Sequence, residues 1–277
     1  MKILYYVMTH RNPKQIDRLV DRLSSSQSAH TLVHHDARSP QLVPVKHNNV
    51  SYIPQPIEVK WGEMSVVHAM WLALDWIDQQ RLSFDWLIFL SGQDYPTRPL
   101  ASIEAELKKS AVDAYVESER VTAEKRLGER YFQLLCRRRY LKRRIKLPGV
   151  KPWYINRSHP YKNGFHCYAG SQWLNLSRRA IDSLRAQRNA ARALMKYLKN
   201  VPCPDETVFH TLLLNDPHLT IENSSKRFIL WENEAPSPTT LTTRHLEAIL
   251  SSDSWFARKV DPALCPELLE KLDSQLA

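Results

Sequence analysis

DWLIFLSGQDYPTRPL, residues 85–100, decides how the rest of the chain is read. Trp86-Leu87-Ile88-Phe89-Leu90 is a continuous apolar run, the pattern of a strand buried on both faces. It stops at Ser91-Gly92-Gln93-Asp94, a polar turn holding one carboxylate. Upstream, Glu63 to Asp78 places Met64, Val67, Met70, Trp71, Leu74 and Ile77 at helical spacing. Residues 2–8 predict a further buried strand. Pro13 stands at the start of a helix running to about Ser25, with Ile16, Leu19, Val20 and Leu23 on one face. Short strands are expected at 31–34 and 50–53. Strands alternating with helices point to βαβ units and a largely parallel sheet.

Beyond residue 100 the pattern changes. Residues 119–146 are highly charged and end in CRRRYLKRRIK, which reads as a basic helix or an ordered loop over the core. Residues 165–176 read as strand, turn, strand, and Ser177 begins a helix. A second helix covers about 189–199. Val201-Pro202-Cys203-Pro204 interrupts it, and Asp205 is the expected N-cap of a helix from Glu206 to Leu214. Strands at 219–222 and 227–231 follow, then helices near 242–251 and 264–275. No repeat or linker divides the 277 residues, so one domain is expected.

Composition narrows the function. A net charge of +10 favours phosphorylated substrates, anionic lipid or polyanions without choosing among them. Six Gly against 17 Pro, with no GxGxxG and no GxxxxGK[ST], argue against a glycine-rich dinucleotide loop. The cysteines at 136, 167, 203 and 265 form no CxxC, so a zinc knuckle is not expected. The N-terminus is too short and strand-like for a signal peptide. No run of about 18 apolar residues exists, so no transmembrane helix is expected. The expected location is cytoplasmic. Arg137–Arg144 reads as a solvated basic face, or else as a surface that meets anionic lipid at the inner membrane face or holds an acidic acceptor. No zinc-finger, helix-turn-helix or base-stacking signature supports nucleic acid as a partner.

Six motifs in order, VHHDARS (33–39), WGEMSVVHAMWLAL (61–74), LSGQDYP (90–96), GSQWLNLSRRAI (170–181), PDETVFHTLL (204–213) and FARKVD (256–261), resemble the core-2/I-branching glycosyltransferase family. Its members include β-1,6-N-acetylglucosaminyltransferases and protein O-xylosyltransferases. The resemblance implies a GT-A fold: a Rossmann-like, mostly parallel sheet, with about 1–100 as the nucleotide-binding half, about 101–261 as the acceptor and catalytic half, and 262–277 as a C-terminal helix. It implies inverting transfer from a UDP-sugar to a hydroxyl of a glycan or glycolipid acceptor, with no metal and no cofactor. N-acetylglucosamine is the expected donor sugar and xylose the alternative. Departures from the family pattern are His35, where an apolar residue is usual, and Val260, where Phe is usual. The luminal anchor of the animal enzymes has no counterpart, which suggests a bacterial-type enzyme.

The resemblance assigns Glu206 as the general base that takes the proton of the attacking hydroxyl. A helix N-terminus there would favour its ionised form; otherwise it is an ordinary helix-start Glu. Lys259, Arg258 and Arg227 would neutralise the leaving diphosphate, with Lys226 as a substitute for Arg227; otherwise they are surface charges. Asp36 would meet the nucleoside, or else cap a turn, and His34 would order that loop. Thr9 and His10, ending the first strand, would sit at the nucleotide. Trp61 and Gly62 would shape its loop. Asp94 would orient the donor or a neighbouring cation, or close an Asx-type turn. Ser171 and Gln172 would contact sugar hydroxyls, Trp173 would stack on a sugar face or join the core, and Asp205 would border the acceptor. A non-catalytic nucleotide-sugar or lipid-binding protein is the reading from another class.

Overall fold

The computed structural model describes residues 1–123, 131–145, 147–232, 235 and 237–276. Its N-terminal part runs β1 (Ile3–Thr9), α1 (Pro13–Ser24), β2 (Ala29–His35), β3 (Val50–Tyr52), α2 (Met64–Gln79), β4 (Trp86–Ser91), β5 (Tyr95–Pro96) and α3 (Leu100–Lys109). Then come β6 (Ala114–Tyr115), β7 (Ser118–Val121), α4 (Tyr131–Cys136), a π-turn at Arg137–Leu141, β8 (Lys142–Ile145), β9 (Trp153–Asn156), β10 (Cys167–Gly170) and β11 (Asn175–Ser177). The chain closes with α5 (Arg178–Ala186), α6 (Arg188–Leu198), a 3-10 turn at Pro204–Glu206, α7 (Val208–Leu214), β12 (Ile221–Glu222), β13 (Arg227–Ile229), α8 (Leu246–Ser251), β14 (Phe256–Arg258) and α9 (Pro266–Leu276).

The central sheet has the order β12-β6-β11-β4-β1-β2-β3. β3, β2, β1 and β4 are mutually parallel, and β11 alone runs against its neighbours β4 and β6. The α/β class with a mostly parallel sheet, expected from the alternation of patterns, is the architecture observed. Because β1 alternates its side chains across the sheet, it feeds two cores. Leu4 and Tyr6 pack with α2, α5, α6 and α7 on one face. Ile3, Tyr5 and Val7 pack with α3 and α9 on the other. Register aligns the carboxyl ends of the parallel strands: Thr9 pairs with His35, and Met8 with Ser91. Candidate residues from β1, β2 and β4 therefore gather at one edge, where open α/β sheets bind ligands.

A small sheet, β13-β14-β5, stands at that same edge and holds Arg227, Arg258 and the residue after Asp94. The four cysteines are buried and free. No helix of the described residues is long and apolar enough to cross a membrane.

Two local expectations change. Glu206 does not open an α-helix: Pro204–Glu206 is a 3-10 turn capped by Cys203 in the left-handed region, and α7 starts at Val208. Asp205 is inside that turn and is not an N-cap. Thr207 causes the break. Its hydroxyl donates to the Tyr168 carbonyl of β10 at 2.7 Å, and its backbone (φ −140°, ψ −32°) leaves the helical region. The second change concerns the basic run, which is no single helix. Tyr140 and Leu141 turn into the core within the π-turn, and the chain continues as a strand. Residues 124–130 and 146 of that segment lie outside the described residues.

Candidate active site

The turn after β4 is closed by its own carboxylate. Asp94 Oδ2 accepts from the Ser91 backbone N–H at 2.7 Å and from the Ser91 hydroxyl at 2.5 Å. Its Oδ1 faces Arg227 Nε and Arg258 Nε, each at 3.6 Å, beyond hydrogen-bond length. All three atoms are buried without a hydrogen-bond partner among the described residues. Asp94 is thus the shared counter-ion of two arginines from the adjoining small sheet.

The two arginines differ. Arg227 is sealed in: its Nη1 donates to Asn175 Oδ1 and the Ser225 carbonyl, and its Nη2 to the Phe89 carbonyl. Its side chain is 0% exposed, so the expected direct contact with a diphosphate is not open to it. Burial lowers its pKa to about 10, with Asp94 opposing. Lys226 is no substitute. Its ammonium is held by Asp253 at 2.5 Å and Glu106 at 3.1 Å. Arg258 reaches the surface at 10% exposure and lies 4.1 Å from the Trp173 ring centroid. Trp173 is itself buried, so it carries Arg258 and leaves no open face for a sugar.

Lys259 follows, half-buried. Burial and the charges of Arg258 and Arg11 lower its pKa, against Asp94. His10 shares this environment: burial, then Arg11, lowers its pKa, with Asp36 opposing. Arg11, Arg258 and Lys259 therefore form a cation-rich rim, with Asp94 and Asp36 the carboxylates nearby, a place for a polyanion.

Asp36 takes the turn-capping role. Its oxygens accept from the Arg38 N–H at 2.9 Å, from Arg38 Nη2 at 3.0 Å and from the Val59 N–H at 3.3 Å. Burial pushes its pKa up, but these donors outweigh it and hold it low. Thr9 Oγ1 lies 2.8 Å from His35 Nδ1. The opposite ring nitrogen, Nε2, donates to the Pro40 carbonyl, so Nδ1 accepts from the threonine. The unexpected His35 thus fastens two strand ends to their loop. His34 also orders it, accepting from the Ile57 N–H at 3.2 Å.

That loop leads to the carboxylate pair. Gly62, left-handed at φ +72°, gives its carbonyl to the Cys203 N–H at 2.8 Å. Only glycine adopts this conformation without cost, and it brings the 3-10 turn against the loop. Within the turn Asp205 is buried, and its Oδ1 has no hydrogen-bond partner among the described residues. Burial raises its pKa to about 6. Glu206 Oε2 accepts from Arg139 Nη1 at 3.1 Å. Burial first, then Asp205, raises Glu206 to about 7, although Arg139 pulls it down. The expectation that a helix N-terminus keeps Glu206 a weak, ionised base is therefore corrected: the helix starts later, and burial decides.

Ser171 and Gln172 lie at the end of β10, both partly exposed. The Ser171 carbonyl accepts from His210 Nε2 at 2.8 Å, tying this loop to α7. A Cβ on Gly170 would stand 1.9 Å from the Glu117 carbonyl oxygen, so a larger residue would push the loop off β7. Trp61 is 76% exposed beside Gly62 and offers the open aromatic face that Trp173 does not. A groove of about 880 Å³ starts at Gly62 and passes Met64, His68, Lys196 and Pro202; of the expected residues it includes only Gly62. Among the described residues no three His, Cys, Asp or Glu side chains are grouped to hold a metal ion.

Arg139 and Asn175 were not singled out from the sequence. Arg139 was hidden in a run of like charge. Asn175 gave no signal, because its role depends on an arginine 52 positions away.

The family model of the core-2/I-branching enzyme matches residues 3–251. A mouse β-1,3-galactosyl-O-glycosyl-glycoprotein β-1,6-N-acetylglucosaminyltransferase 4 is 24% identical over 99% of this chain and 66% of its own length. Human xylosyltransferase 1 is 22% identical over 100% of this chain and 30% of its own length. The chain therefore spans just under two thirds of the first relative and about a third of the second. Among solved structures, a glycosyltransferase involved in glycosylation of the major capsid of PBCV-1 has a TM-score of 0.43 at 10% identity, covering 99% of both chains.

Proposed function

The chain belongs to the core-2/I-branching enzyme family, and from that premise we propose that it is an inverting glycosyltransferase moving a sugar from a UDP-sugar to a hydroxyl of a glycan or glycolipid acceptor. The environment of Glu206 carries this reading: a carboxylate raised to about 7 by burial and held in orientation by Arg139. A base poised near neutral pH suits removal of a proton from an alcohol that acidifies only as it attacks. The acceptor oxygen bonds to the anomeric carbon, the bond to UDP breaks, and the hydroxyl proton passes to Glu206. Charge builds on the β-phosphate as UDP leaves. Lys259, Arg258 and Arg11 receive it, while Asp94, the counter-ion shared with Arg227, holds Arg258 from beneath. On this reading the diphosphate is met by side-chain cations, without a metal. Trp61 would stack against a sugar ring, and Ser171 and Gln172 would meet its hydroxyls. Thr9 and Asp36 would frame the nucleoside side. N-acetylglucosamine is the preferred donor sugar, with xylose second, following the two kinds of relative.

Thermal stabilisation by UDP, UDP-N-acetylglucosamine, UDP-xylose, UDP-glucose and UDP-glucuronate, each in EDTA and in Mn²⁺, tests the donor side. A ligand at a hundred times its Kd adds about 2.7 kcal/mol to the folded state. Protection by one UDP-sugar in EDTA is the expected result. No shift with any nucleotide in either condition would overturn the donor-site reading.

A further inference from the structure

Leu147, Val150, Trp153 and Ile155 are 51%, 53%, 41% and 45% exposed, and all belong to the β8–β9 hairpin or its tip. Large apolar side chains scattered singly on a surface are ordinary, but four clustered on one projecting element are not. Leu147 and Val150 lie at the tip, and register places the other two. Ile145 pairs with Trp153 and Arg143 with Ile155, so these side chains share one face of the ribbon. On the other face Tyr154, which pairs with Arg144, is half-buried, and the Arg138 guanidinium lies 5.4 Å from its ring centroid. Trp153 and Ile155 are exposed to solvent on their face, with Arg143 beside them.

Charge identifies the occupant. Arg143, Arg144 and Lys151 are exposed on the same hairpin. The sequence from residue 130 to residue 181 contains no Asp or Glu. Trp and aliphatic side chains at a tip, ringed by Lys and Arg, match a boundary between water and anionic headgroups. Two weak signals, apolar insertion and basic attraction, together give stable peripheral binding where either alone gives little.

We propose that the β8–β9 hairpin docks this protein on the anionic surface of a lipid bilayer, with Leu147, Val150 and Trp153 entering the headgroup region. The basic run first suspected of lipid contact is thereby divided. Arg139 serves the site, Tyr140 and Leu141 serve the core, and the hairpin beyond them meets the membrane. Because Arg139 and β8 belong to one continuous segment, docking would tie the segment that holds Glu206 to the membrane, the source of a lipid-linked acceptor. That last step rests on the transferase reading; docking does not.

The test is co-sedimentation of the full chain with vesicles of phosphatidylcholine alone and of equimolar phosphatidylcholine and phosphatidylglycerol. Binding is expected only to the second. The triple variant Leu147→Ser, Val150→Ser, Trp153→Ser should bind at least about tenfold more weakly, with unchanged melting temperature and unchanged UDP-sugar protection. Arg143→Ser with Lys151→Ser should weaken binding too. Absence of wild-type binding to anionic vesicles overturns the proposal, as does equal binding by the triple variant, which would mean bare charge attraction. Vesicle binding without any nucleotide protection would leave docking standing and remove the donor-site reading instead.

Discussion

Arg139 Nη1 donates to Glu206 Oε2 at 3.1 Å across 67 residues of sequence, so a side chain of the basic segment tempers the proton affinity of the candidate base. Arg139 pulls the Glu206 pKa down against burial and Asp205. In wild type, kcat/KM should rise with pH through about 7 and then level off. Arg139→Ala should move that limb to higher pH, and Arg139→Lys should restore part of the difference. A pH–rate profile for the three proteins checks this; superimposable limbs would separate Arg139 from the titrating group.

Glu206→Gln should lower transfer by roughly 10²–10⁴-fold, the usual worth of a positioned general base. Protection by UDP should survive, because the cation rim is built on different elements. Near-normal turnover in that variant would remove Glu206 from the mechanism.

Asp205 and Glu206 also set a stability trend. Both carboxyls are raised on folding, to about 6 and about 7. The folded state therefore holds more protons than the unfolded one between the ordinary carboxylate range and those values, and stability falls as pH rises through that window. Asp205→Asn should stabilise the protein at pH 8 by up to about 3 kcal/mol and should make little difference near pH 3.5. Denaturant titrations at the two pH values report it. A gain of equal size at both would show that ionisation is not the cause.

The three-charge cluster separates structure from binding. Arg227→Met leaves Asp94 with one of its two counter-ions and strips the buried Asn175, Ser225 and Phe89 acceptors of their donor. A loss of about 3 kcal/mol or more is expected. Lys259→Ala should keep the melting temperature and weaken UDP binding far more than uridine binding. Calorimetry with the two ligands decides; equal losses for both would place Lys259 away from the diphosphate.

Much of this architecture was legible in the order of residues. Burial on both faces marked β1 and β4, and helical spacing of Met64, Val67, Met70, Trp71, Leu74 and Ile77 marked α2, because these patterns are local consequences of backbone geometry. The six motifs pointed to the family, which the match over residues 3–251 establishes. What a charged side chain does was not legible in the same way. Arg227 and Lys259 look alike as basic residues near the end of the chain, yet one is sealed beneath Asp94 and the other lines the rim. Of the two roles open to Trp173, packing decides for the core, while Trp61 stays exposed. Glu206 changes from a stabilised helix-start carboxylate to one raised near neutrality: Thr207 bonds to a strand 39 residues away and moves the helix start past it, and burial, then Asp205, raises its pKa. Periodicity is written along the chain, whereas the solvation and pairing of a charge depend on neighbours that only the packed structure brings within a few ångströms.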